Sequence, residues 1–230
     1  MNIQRTKTTQ VIIVPFDAFS LNTLIPQQRL EPLVRLFGFG NVSINAGDRD
    51  QPSITFEHGS FDHDTGSYAI NRLEIGERKI VFTLEGPSEV ADEFFEQLED
   101  FLLGLEDGDA QLNVALRSEE SEIVAELGFS VEDLFSTGYL DFVKNTVQRQ
   151  VDLDIAKATV RPAAIRFRVD YLLQDQAIQE QAITLATKEF IVEPRKGSLL
   201  ADRIFYSKAP LDTDAHVRLL EELEATLSHR

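Results

Sequence analysis

Ser67 to Leu103, SYAINRLEIGERKIVFTLEGPSEVADEFFEQLEDFLL, is the stretch whose reading decides the fold. Ser67–Ile75 and Lys79–Glu85 carry the β-branched and aliphatic residues that suit strands, and Gly76-Glu77 between them is turn chemistry for an antiparallel meander. After Gly86-Pro87 the apolar period lengthens from two to that of a helix. From Ser88 to about Leu103, Val90, Phe94, Leu98, Phe101 and Leu102, continued by Leu105, share one face. Asp92, Glu93, Glu96 and Asp100 fall opposite. Paired strands followed by a long amphipathic helix predict an α+β fold in which the helix covers an antiparallel sheet.

Working upstream, Ser53–His58 is a further strand, joined through the turn-rich segment Gly59 to Gly66. Pro26–Phe37 reads as a helix with Leu30, Leu33, Val34 and Phe37 at helical spacing, its start drawn towards Glu31 by Pro32. Val11–Phe16 reads as a short buried strand. Gly38-Phe39-Gly40 lacks a third glycine and opens no helix, so it is a helix C-cap rather than a dinucleotide fingerprint.

Downstream, Leu112, Val114 and Leu116 alternate as one strand, and Ile123, Ala125 and Leu127 as another. Ser130-Val131-Glu132-Asp133 has the form of a capping box for a helix with Leu134, Phe135, Phe142 and Val143 among its apolar positions. Strands are predicted over Ala163–Leu173, Gln181–Glu193 and Asp202–Ser207, and a last helix over Asp214–Leu227. The expectation is an α+β protein, antiparallel sheet packed against about four helices. Two readings of its organisation stand side by side: tandem β-α-β-β-β-α halves over 1–109 and 110–230, or one continuous domain. The order of elements resembles the duplicated saddle folds of the TATA-binding-protein type, and the closing helix on a sheet also resembles helix-grip lipid-binding domains. Neither resemblance carries a residue motif, so both bear on architecture alone.

Charge is distributed unevenly. The net charge is −17, and residues 85–156 hold 19 acidic against 3 basic side chains, whereas the flanking segments are close to neutral. Such a band repels nucleic-acid phosphates and anionic membranes and favours basic partners. The chain has no cysteine, which excludes disulfides, thiolate metal sites and cysteine nucleophiles. No apolar run is long enough for a signal sequence or a membrane span, so a soluble, cytoplasmic protein is expected.

Chemical motifs are few. Glu57-His58-Gly59-Ser60-Phe61-Asp62-His63-Asp64 gathers two imidazoles and three carboxylates, and His58, Asp62, His63 and Asp64 are candidate metal ligands for a hydrolase. Against this, no established ligand spacing is present, and His58 shares the strand parity of Ile54 and Phe56. Asp64-Thr65-Gly66 matches the aspartic-protease signature, but no second copy exists and the triplet is also an ordinary turn. Glu106-Asp107-Gly108-Asp109 lacks the ligand series of a calcium loop. Arg166 and Arg168 share a strand face and are candidates for an anion or carboxylate pocket, or for pairing with the protein's own acidic groups.

No catalytic grammar and no cofactor emerge from these residues, so the sequence points to binding rather than chemistry. The leading expectation is an interaction protein that presents Asp92, Glu93, Glu96 and Asp100 to a basic protein partner, with a DNA-mimic inhibitor as its sharper variant. A small-molecule cavity between sheet and helix, and the metal-dependent hydrolase, are the alternatives. Direct nucleic-acid or membrane binding is not expected, and a homodimer is compatible with exposed strand edges.

Overall fold

A computed structural model describes residues 1–15, 21–45, 52–105, 112, 114–150, 162–170 and 187–228. Its strands are β1 (Asn2–Ile13), β2 (Asn41–Asn45), β3 (Ser53–His63), β4 (Gly66–Gly76), β5 (Lys79–Leu84), β6 (Leu116–Glu126), β7 (Ile165–Val169), β8 (Lys188–Pro194) and β9 (Ile204–Ala209). A single helical turn, α1 (Leu21–Leu24), precedes four longer helices: α2 (Gln27–Leu36), α3 (Ser88–Leu103), α4 (Thr137–Gln150) and α5 (Thr213–Ser228). The nine strands form one sheet in the order β2-β3-β4-β5-β1-β6-β9-β8-β7, with every neighbouring pair antiparallel. The fold is α+β. Among the described residues no helix is long and apolar enough to cross a membrane.

Alternation along the strands sets one face of the sheet against the helices. Ile70, Leu73 and Ile75 of β4 and Ile80, Phe82 and Leu84 of β5 meet Val90, Phe94, Leu98 and Leu102 of α3 and Leu33 of α2 in one core. Phe94 is its centre, with its ring edge-on to Phe37 at 4.9 Å, Phe61 at 5.7 Å and Phe82 at 4.8 Å. A second core joins Ile123 and Ala125 of β6 and Phe205 of β9 to Leu220 of α5. The opposite face of the sheet is polar and cross-linked by charge: Arg5 to Glu85, Lys7 to Glu122 and Lys208 to Glu120, at 2.6 to 2.8 Å.

Several elements differ from the sequence reading, each for a physical reason. β1 is twelve residues long and central, where only Val11 onward reads as apolar. Its first half is polar and mostly exposed, and in its second half Thr8 and Gln10 point into a buried polar seam before the apolar residues begin. β6 starts only at Leu116, so Leu112 and Val114 lie outside any strand, and it runs unbroken to Glu126. Arg117, Glu119 and Ser121 extend that seam, so the apolar alternation disappears at its middle. α2 begins at Gln27 and keeps Pro32 inside its second turn, where the missing N–H forfeits only one helical bond. The Ser130–Asp133 capping box is present, but it closes a 3₁₀ turn over Val131–Leu134, and α4 starts at Thr137 with Phe142 67% exposed.

β3 continues through Gly59 to His63, beyond the predicted end at His58. His58 takes a left-handed φ of 59°, and the register with β4 passes from Glu57↔Arg72 to Gly59↔Ile70. That irregularity reverses the parity: Gly59 and Phe61 turn to the core, and His58 is exposed rather than packed beside Phe56. β7 covers five residues of the Ala163–Leu173 prediction and β8 the second part of Gln181–Glu193; the remainder, from Tyr171 to Thr184 and on to residue 186, lies outside the described residues. The Glu106–Asp109 turn also lies outside them.

Candidate functional site

Helix α3 starts where Pro87 and Ser88 stop the chain leaving β5, and its first turn meets the first turn of α5 over the centre of the sheet. The two helices cap each other. Thr213 N–H donates to Ser88 Oγ at 2.7 Å, Ser88 N–H donates to Thr213 Oγ1 at 3.0 Å, and Ser88 Oγ–H donates to Thr213 Oγ1 at 3.0 Å. Both residues are buried, so N–H groups that a helix start leaves orphaned are satisfied without water.

Beside this junction is a pocket of about 400 Å³ bounded by Glu89, Asp92, Arg117, Glu119, Asp212 and Asp214. Its floor is the polar seam of β1 and β6. Gln10 Nε2 donates to Asp92 Oδ1 at 2.7 Å, and Arg117 Nη2 donates to Gln10 Oε1 at 2.7 Å and to Asp92. The Arg117 guanidinium also lies over the Phe95 ring, 5.6 Å from its centroid. Burial pushes the Glu119 carboxyl up from the usual carboxylate range, with Asp92 adding to the shift, and Glu119 Oε1 is buried with no hydrogen-bond partner.

The outer face of α3 is strongly acidic. The helix carries six carboxylates, Glu89, Asp92, Glu93, Glu96, Glu99 and Asp100, and no cation. Of the four residues the sequence singles out, Asp92 is bound by Arg117 and Gln10, and Glu93 Oε2 lies 3.1 Å from His63 Nε2. Glu96 and Asp100 are exposed and have no cationic neighbour among the described residues. Glu99, half-buried between them, is pushed up by burial and then by repulsion from Asp100 and Glu96. The positive end of the helix dipole is far along the axis from this pair, and the negative end is near.

His63 stands at the tip of the β3–β4 hairpin. Its Nδ1 accepts the Thr65 N–H at 3.1 Å and lies 2.7 Å from Thr65 Oγ1, so Nε2 carries the proton offered to Glu93. Asp64 and Thr65 form the two-residue turn, flanked by the His63↔Gly66 pair. This accounts for the Asp64-Thr65-Gly66 triplet as hairpin chemistry. His58 and Asp62 are exposed, and among the described residues no group of three or more His, Asp or Glu side chains is placed to hold a metal ion.

Arg166 and Arg168 sit on the edge strand β7 and are exposed. Arg166 Nη2 reaches Glu193 Oε2 on β8 at 3.1 Å, and Arg168 Nε donates to Asp170 Oδ1 at 2.8 Å, with Thr187 nearby. Their neighbours are therefore carboxylates of the same sheet region, not of the acidic helices. Gln10, Arg117, Glu119 and the Ser88–Thr213 junction were not signalled by the sequence, because each gains its role from strands and helices far apart in the chain.

Compared with protein-family models and with curated protein sequences, the chain matches none.

Proposed function

We propose that this chain acts by binding a basic protein surface, and that the exposed face of α3 around Glu96 and Asp100 is the contact. The observation that carries the reading is the uncompensated charge of that face. Of its six carboxylates only Asp92 meets a cation among the described residues, Arg117, and Glu93 accepts a hydrogen bond from His63, while Glu99 is pushed up by burial and then by repulsion from Asp100 and Glu96. A cationic partner offsets the repulsion among Glu96, Glu99 and Asp100. Asp212, Asp214, Glu221 and Glu222 of α5 and the chain leading into it extend the acidic surface beyond α3.

The sheet order suggests how the acidic helices are held. We read it as two tandem halves, 1–109 and 110–230, joined at the β1–β6 pair: the second keeps the β-α-β-β-β-α order, the first has one further strand, β2, and each has a core and a long closing helix. The paired starts of α3 and α5 then follow from the join.

A fluorescent peptide rich in arginine and lysine tests the binding reading. Its affinity falls by at least roughly tenfold between about 50 and about 500 mM salt, because exposed charges are screened over a Debye length. The double variant Glu96→Gln, Asp100→Asn weakens it about three- to tenfold at low salt, the sum of two exposed pairs. No binding at low salt, or binding that neither salt nor the variant changes, overturns the proposal.

A further inference from the structure

We propose that β2 is a self-complementary sheet edge through which two copies of this chain pair, antiparallel and two-fold symmetric, into one continuous sheet. Among the described residues the sheet ends in two edge strands, β2 and β7, and they differ in kind. All five residues of β2 are exposed, and among the described residues β2 pairs only with β3. Its sequence is Asn41-Val42-Ser43-Ile44-Asn45. It has no charge and no proline, and its register with β3 runs without a bulge, so it lacks the devices by which edge strands usually avoid pairing.

The order of these five residues supplies the partner. A second copy turned about an axis through Ser43 sets Asn41 opposite the partner's Asn45, Val42 opposite the partner's Ile44, and Ser43 opposite the partner's Ser43. Each is a matched amide, β-branched or hydroxyl pair, the kind that stabilises adjacent antiparallel strands. Val42 and Ile44 stand in register with Phe56 and Ile54, both 0% exposed, yet are themselves 40% and 50% exposed. They continue the core outward by one strand as half-exposed side chains, and pairing extends that apolar face across the axis.

The other edge is closed to the same operation. An axis through Phe167 of β7 sets Arg166 opposite the partner's Arg168 and Arg168 opposite the partner's Arg166, like charges directly opposed. Growth therefore ends at two copies, an isologous pair with β7 at both outer edges. Residues 1–84, which include β2 and α2, are nearly neutral, with 8 basic and 9 acidic side chains, so the contact avoids the acidic band. A five-residue strand buries well under the roughly 800 Å² per partner of a standard interface, which places the dissociation constant in about the micromolar range or above. The net charge of −17 opposes association at long range, so added salt strengthens the dimer. This is opposite in sign to the salt dependence of the acidic face, so the two proposals fail separately.

Sedimentation equilibrium on the full chain, from about 1 to about 500 µM, reads the mass directly. The expected result is a rise from 25.9 kDa towards twice that value, at lower concentration in high salt. Ser43→Lys, on an exposed position, moves the transition to at least about tenfold higher concentration by placing two lysines across the axis. Mixing Ser43→Lys with Ser43→Glu restores it, and native mass spectrometry finds the mixed pair in excess over either homodimer. A chain that stays monomeric throughout, or a dimer that Ser43→Lys leaves intact, overturns the proposal.

Discussion

His216 shows how much a single buried side chain dictates. It is 0% exposed on the sheet side of α5, with Nδ1 2.8 Å from Ser121 Oγ and Nε2 2.8 Å from Ser207 Oγ. Ser207 Oγ–H donates to the Ile191 carbonyl at 2.9 Å, so Ser207 accepts from Nε2–H, and Ser121 donates to Nδ1. Both ring nitrogens are satisfied in the neutral form, and burial lowers the pKa from 6.5 to about 4 against a smaller opposing effect of the Ser121 hydrogen bond. The unfolded chain takes up a proton below about pH 6.5 that the folded chain refuses, so this residue's contribution to stability falls as pH drops from 6.5 to 4. It amounts to about 3 kcal/mol across that window. Urea denaturation of wild type and His216→Asn at a series of pH values checks it: the variant is less stable at pH 7 but loses that part of the acid slope, and parallel pH profiles contradict the assignment. Gly59 makes a second prediction at this scale. A Cβ there would lie 2.5 Å from Phe39 Cε1 and 2.9 Å from the Phe37 carbonyl oxygen, so Gly59→Ala costs about 1–3 kcal/mol by overpacking, read as a lower denaturation midpoint. Neither role is legible in the sequence. His216 reads only as a boundary residue beside Leu219, Leu220 and Leu223, since its two serine partners lie on β6 and β9. Gly59 reads as a turn residue, since Phe39 closes over it only after α2 has folded back.

Elements were legible where one face is apolar and the other polar. The β4–β5 hairpin and α3 follow the residues closely, because Leu73 and Ile75, and Ile80, Phe82 and Leu84, alternate with more exposed side chains, and Val90, Phe94, Leu98 and Leu102 recur at helical spacing. The pattern failed at the join of β1 and β6, where Thr8, Gln10, Glu119 and Ser121 put polar groups on the buried side. A hydrophobic period cannot mark a strand whose inward face is a hydrogen-bonded seam. The reciprocal caps above that seam act as a unit, and this is measurable. Ser88→Ala and Thr213→Ala each cost about 1 kcal/mol, and the double variant costs less than their sum by at least about 0.5 kcal/mol, since removing either hydroxyl already breaks the shared network. Strict additivity in a double-mutant cycle contradicts the mutual capping.

At the scale of the molecule, the single sheet binds two cores together, and α3 and α5, the two long acidic helices, pack on the same face of it. Cations of the opposite face are held by neighbouring carboxylates, Arg5 with Glu85, Lys7 with Glu122, Lys188 and Lys208 with Glu120. Burial lowers the Lys188 ammonium, which Glu120 counters. The concentration of negative charge in residues 85–156 was plain in the sequence; its division into partnered and unpartnered carboxylates was not, because Asp92 meets Arg117, and Glu93 accepts a hydrogen bond from His63, only through the fold. That division leaves Glu89, Glu96, Glu99 and Asp100 without a cation among the described residues, and Glu96 and Asp100 are the exposed pair that flanks Glu99. The most direct measurement is a backbone amide NMR titration of the full chain with the arginine- and lysine-rich peptide at low salt. The account predicts shifts concentrated in α3 around Glu96 and Asp100, fading as salt is added. Shifts spread evenly over every acidic segment, or confined to the sheet face around Arg166 and Arg168, would contradict it.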